Sequence, residues 1–169
     1  MRSEDKRPEV EKYGLHAYDD FGCLRPPKLL IASLIFLCRD LIFLVLLGVS
    51  RLIGASGEVA GLQDIVDGET LLSGCIAAVP AAAVLYALGA RMPTAPAFVR
   101  WIWGHGRSLI AVSALVSIVL TVMQYGSDPR RWLNSSLAVK AIVLAELGIV
   151  GYVFLSSRVR QTFLDFPPA

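Results

Sequence analysis

The chain has 169 residues, of which 55% are hydrophobic and 18% charged, and a formal net charge of +2. A soluble domain carries about 45–50% apolar and about 25% charged residues, so this composition is tilted away from a solvated globule. So small a charge, with no basic stripe set among aromatics, speaks against a nucleic-acid partner.

Residues 1–28 form a mixed-charge segment with no apolar core of its own. A secretory signal pairs a short basic start with an apolar stretch of about 7–15 residues and a small-residue cleavage site, a pattern this segment does not follow. It reads as a cytoplasmic N-terminal segment. Of the three cysteines, Cys38 and Cys75 fall in apolar runs and Cys23 just before the first. Their odd number opposes a disulfide framework, and their spacing fits no metal site.

A membrane-spanning helix needs about 20 mostly apolar residues at a rise of about 1.5 Å each. Four windows qualify: 29–53, 70–90, 108–125 and 136–156. Pro26 and Pro27 open the first, where a missing amide hydrogen is harmless, and Gly54 with Gly57 closes it. Pro80 lies inside the second, where it predicts a kink that lipid-embedded helices tolerate. Gly89, Pro93 and Pro96 end the second window, and Gly126 with Pro129 ends the third. Residues 157–169 read as a cytoplasmic C-terminal tail.

Lys and Arg concentrate in cytoplasmic loops. The N-terminal segment carries Arg2, Lys6, Arg7, Lys12, Arg25 and Lys28; the second loop carries Arg91, Arg100 and Arg107; Arg158 and Arg160 follow the fourth window. The first loop has no cation and holds Glu58, Asp64, Asp67 and Glu69, while Arg130 and Arg131 alone oppose the trend. The expected fold is therefore an all-α membrane protein with four transmembrane helices in an antiparallel bundle, both termini cytoplasmic. Trp101, Trp103 and Trp132 are read as interface anchors, since tryptophan favours the headgroup level. The segment 97–107 is expected to lie along that interface as a short amphipathic helix.

Charges at bilayer depth are costly, by about 2.5–3.5 kcal/mol on insertion scales. Arg39 and Asp40 lie about 11 residues into the first window, and Glu146 lies about ten into the fourth, so all three reach the midplane. Depth matching makes Arg39–Glu146 the natural cross-helix pair. Two acids and one base leave a surplus negative charge, which low dielectric resolves by keeping a proton on Asp40 or Glu146. The cluster is either a clamp between the first and fourth helices or a proton or cation site. The clamp is preferred, because no continuous polar path is visible from the cluster.

Ser113, Ser117, Thr121 and Gln124 share one face of the third helix, and such groups hydrogen-bond across helices. Ala138, Ala141, Ala145 and Gly148 form a small-residue packing seam on the fourth, serving the chain itself or another subunit. His16 and His105 read as solvent-facing, with no metal-ligand spacing around them. No nucleophile elbow, phosphate-binding loop or zinc-protease pattern is present, so no catalytic residue, cofactor or metal is expected.

The run YDDFGCLRPPKLLIASLIFLCRD, residues 18–40, resembles the DUF2919 family. It joins a tyrosine and acidic pair, a Gly-x-Leu-x-Pro-Pro turn and a helix with a mid-membrane arginine. The likeness extends over most of the chain, about residues 18–164. It implies a four-span protein of a bacterial inner membrane and brings no activity with it. Four spans and a buried glutamate are also similar to small multidrug transporters. This chain departs from them in its length, in its Arg39 and in having the acid on the fourth helix. The expected function is a non-enzymatic accessory or assembly subunit of a larger membrane complex, with a protein partner or self-association. The alternative is a small oligomeric transporter or proton-coupled channel that uses the midplane charges.

Overall fold

The computed structural model describes residues 17–18, 22–52, 68–126 and 137–167. They contain seven helices: α1 (Lys28–Leu37), α2 (Arg39–Leu52), α3 (Gly68–Gly89), α4 (Ala97–Gly104), α5 (Gly106–Gly126), α6 (Leu137–Leu155) and α7 (Ser157–Leu164). Three helices, Leu71–Gly89, Gly106–Gln124 and Leu137–Leu155, are long and apolar enough to cross a membrane, and α1 with α2 makes a fourth if that bent pair is one span. Their outer faces carry exposed apolar side chains, among them Leu72, Ile76, Val119, Met123, Leu144 and Phe154. In water so large an apolar surface would drive association; in a bilayer it meets lipid. The chain has the make-up of an integral, multi-pass helical membrane protein.

One continuous helix was expected over 29–53, and here the structure corrects the sequence reading. The segment breaks at Cys38, and the axes of α1 and α2 diverge by 59°. No proline or glycine stands at the break. Cys38 takes φ −87° and ψ 5°, and the Arg39 guanidinium donates to the Phe36 carbonyl through Nη1 at 3.3 Å, satisfying an acceptor near the end of α1. By contrast α3 runs as one helix through Pro80.

Leu30, Leu34 and Leu37, spaced by four and three residues, put one face of α1 into the core. There they meet Ala81 and Val84 of α3, Ile110 and Ala114 of α5, and Ile149 and Val153 of α6. α3 packs against α5 and α5 against α6, with α1 touching all three, while α2 leans on α3.

A second layer joins the chain ends to the loop between α3 and α4. The approach to α1 folds back on itself: Tyr18 bridges Leu24, and the Arg25 amide donates to the Ala17 carbonyl at 2.7 Å. Gly22 makes that reversal at φ +69°, a region that costs an L-residue about 1–2 kcal/mol. Gly22→Ala should lower the unfolding free energy by about that amount, read from the detergent-solubilised protein; a change below about 0.5 kcal/mol would show that the reversal is not held at this conformation. The expected C-terminal tail is partly helical. Ser156 caps α7 by accepting from the Val159 amide, and Val159, Thr162 and Phe163 of α7 are buried.

Candidate functional site

Arg39 is the first residue of α2, so the break that ends α1 also decides where its side chain goes. Its Nη2 donates to Glu146 Oε1 of α6 at 3.0 Å, and its Cζ lies 4.7 Å from the centroid of the Phe36 ring. The same Glu146 oxygen accepts from Ser117 Oγ of α5 at 2.7 Å. Glu146 is fully buried, at 0% exposure, and its Oε2 has no hydrogen-bond partner within the protein. Asp40 approaches the same guanidinium nitrogen, with Oδ2 4.0 Å from Arg39 Nη2. The structure thus brings Arg39, Asp40 and Glu146 into one cluster, both acids against one guanidinium nitrogen.

Asp40 fits because α3 offers no side chain opposite it. A Cβ built on Gly74 would lie 2.6 Å from Asp40 Cγ, closer than real atoms approach. The small residue is therefore an accommodation for the carboxyl group.

Beside the cluster lies a cavity of about 180 Å³, lined by Arg39, Asp40, Ser73, Gly74, Ser117, Thr121 and Gln124, with Leu120, Val139 and Ile142 as its apolar part. Ser73 lies near the start of α3 and Gln124 near the end of α5, and Gln124 Nε2 donates to Ser73 Oγ at 3.4 Å. The cavity runs from the α1–α2 break toward the end of the bundle where α3 begins and α5 finishes. Polar side chains of α3 and α5, Ser73, Ser117, Thr121 and Gln124, thus share this cavity with the charged cluster. Part of the Ser113–Gln124 face lines it, while Ser113 makes a packing bond, donating to the Ala77 carbonyl of α3 at 2.7 Å.

A second cavity, about 510 Å³, lies between α2 and α3, lined by Cys38, Leu41, Ile42, Val45, Leu46, Ala82, Leu85 and Tyr86. Its lining is almost wholly apolar, so it offers little to orient a polar ligand.

The other expected site residues divide. Ala138, Ala141, Ala145 and Gly148 are all exposed, and a Cβ on Gly148 would meet nothing within 4 Å. The face that α6 buries is Val143, Glu146, Ile149 and Val153, so the small-residue seam does not pack within the chain. Trp101 is 59% exposed and stacks on His105 at 4.7 Å. Trp132 lies outside the described residues.

Trp103 is not an interface anchor. It is 1% exposed, its ring lies 4.8 Å from that of Phe163, and its Nε1 donates to the Thr162 carbonyl at 3.2 Å. The partner that draws it inward is α7, about 60 residues further along. Sequence reasoning also missed Arg91, which looked like an ordinary loop cation. Arg91 is 8% exposed. It donates to the carbonyls of Leu24 at 3.1 Å and Asp165 at 2.7 Å, and lies 4.8 Å from the centroid of the Trp103 ring. Asp165 Oδ2 in turn accepts from the Leu24 amide at 2.8 Å.

A family model described as "Protein of unknown function (DUF2919)" matches residues 13–165. The chain belongs to the DUF2919 family. No curated protein and no solved structure matches it. In this DUF2919 protein the matched stretch takes in the Tyr18–Leu24 reversal, the Arg39 break, Glu146 and the Arg91–Asp165 contacts.

Proposed function

We propose that the protein is a four-span antiparallel bundle of a bacterial inner membrane, both termini cytoplasmic, that admits a small polar solute to a midplane site as a transporter or channel. The carrying observation is the cavity that has Arg39 and Asp40, at a broken helix, in its lining beside three hydroxyls and an amide. Ionisable groups inside a membrane mark solute pathways by default, and broken helices near the midplane are where transporters bind their cargo.

Parity of crossings supports the four-span topology. Leu24, Arg91 and Asp165 meet in one network, so an even number of spans separates each from the next. Two spans, α5 and α6, lie between Arg91 and Asp165; α3 and the bent α1–α2 pair then make two between Leu24 and Arg91. The Ser113–Ala77 and Gln124–Ser73 contacts, which pair later residues of α5 with earlier ones of α3, support an antiparallel arrangement. Loop charges put the ends inside, and the cavity then opens outward.

The exposed seam of Ala138, Ala141, Ala145 and Gly148 supports an oligomer, because small residues let helices approach closely in lipid. Its natural occupant is a second copy or a protein partner, which joins the accessory-subunit expectation to the transport reading. The role is non-enzymatic.

Thr121→Cys and Gln124→Cys should react with a membrane-impermeant maleimide applied to the outer face of spheroplasts, while the wild type, whose Cys23, Cys38 and Cys75 are buried, stays unlabelled. Failure of both new thiols to label from outside would sink the outward-open cavity.

A further inference from the structure

Charge counting at the cavity carries the reading one step further. Arg39 and Glu146 are bonded at 3.0 Å and neutralise one another. Asp40 contributes one more negative charge, and it lines the cavity with its side chain 25% exposed. The remaining polar lining is neutral: the hydroxyls of Ser73, Ser117 and Thr121 and the amide of Gln124. Lys140 lies about 9 Å along the α6 axis from Glu146, six residues at about 1.5 Å each, toward the mouth rather than the floor.

We infer that the site binds one small monovalent cation, with Asp40 as its counter-ion, and that a proton competes for the same carboxylate. This rests on the solute-binding reading and names the solute's class. Oxygen donors are the ligands that hard cations take. The charge balance sets the valence: two acids against one base leave a single surplus negative charge, which one positive charge satisfies. Among the described residues no group of three or more His, Cys, Asp or Glu gathers as a divalent site would need. A volume of about 180 Å³ holds several waters, enough for a partly hydrated alkali ion or a small ammonium. Gly74 leaves the carboxyl group its place against α3, which a larger residue would deny. An anion would meet Arg39 already engaged by Glu146 and would face the surplus negative charge of the cluster.

Protons compete because a cation and a proton cannot occupy one carboxylate together. The titratable groups around Asp40 are Arg39 beside it, Glu146 behind Arg39 and Cys75 on α3. Arg39 is held by its pair, and Cys75 is a buried thiol.

The test measures the unfolding midpoint of the full detergent-solubilised chain as sodium, potassium or methylammonium chloride replaces N-methylglucamine chloride, a cation too bulky for the cavity. The expected result is a midpoint that rises with at least one small cation. Its apparent affinity should weaken about tenfold per pH unit once protons occupy Asp40, and the response should vanish in Asp40→Asn. Should Asp40→Asn fail to fold, Thr121→Val provides the second reading: affinity reduced severalfold with the cation-free midpoint kept. Two results overturn the proposal: no response to any of the three cations, or an equal response in a folded Asp40→Asn. With Thr121→Cys labelled from outside, such a result removes the cation and leaves the solute cavity standing; unlabelled, both fall.

Discussion

Arg39→Leu should destabilise the protein by about 3–5 kcal/mol, because it leaves a buried acid without its partner. Glu146 has no exposed surface and one oxygen already without a hydrogen bond. Removing the guanidinium 3.0 Å away leaves Ser117 as its only polar neighbour among the described contacts. The variant also loses the donor to the Phe36 carbonyl, so the break at Cys38 should loosen as well. The double variant Arg39→Leu with Glu146→Leu removes both charges, and apolar replacements for buried pairs are often neutral or better. It should recover most of the loss. Chemical unfolding in detergent, run as a double-mutant cycle, checks both statements. Additive losses in the cycle would mean that the two side chains are not energetically coupled.

Trp103→Ala should cost about 3–5 kcal/mol, the usual range for emptying a large buried aromatic site. Its ring fills the space between Phe163 and the Arg91 guanidinium, and truncation leaves both facing a void. Trp103→Phe keeps the ring contact and loses the N–H donor to Thr162, so it should cost about 1 kcal/mol. Trp101→Ala, two residues away and largely exposed, should stay within about 0.5 kcal/mol of wild type. An equal response at positions 101 and 103 would contradict the burial that separates them.

The spans were legible because bilayer thickness imposes a length on any apolar helix, and the charge bias of the loops gave an orientation to propose. The Arg39–Glu146 contact was legible for a related reason: a fixed rise per residue converts sequence position into depth, and only a few charges share that depth. The break at Cys38 was not. No proline or glycine announces it; what accompanies it is a side chain that bonds its own helix end and a glutamate about a hundred residues on. The cavity was hidden because part of it is made by a missing side chain. Gly74 is in sequence simply a glycine within an apolar window, and only Asp40 lying against it shows what the space is for. Trp103 and Trp101 share a composition-based prior for the interface, and α7 decides between them. The Ala138–Gly148 stripe was read as a packing seam; the structure turns it outward, because Glu146 and its neighbours Val143, Ile149 and Val153 take the inner face of α6.

The meeting of Leu24, Arg91 and Asp165 also bears on how the molecule is made. Synthesis delivers these residues early, midway and late, so the network cannot close until the last hairpin has crossed and α7 has emerged. Until then Arg91 has the Leu24 carbonyl and the Trp103 ring but lacks the Asp165 carbonyl. A ribosome stalled before residue 165 would release a chain whose spans are inserted but whose ends are untied. In such a chain the Leu24 amide and the Arg91 guanidinium would lack the Asp165 contacts that join them in the full-length protein.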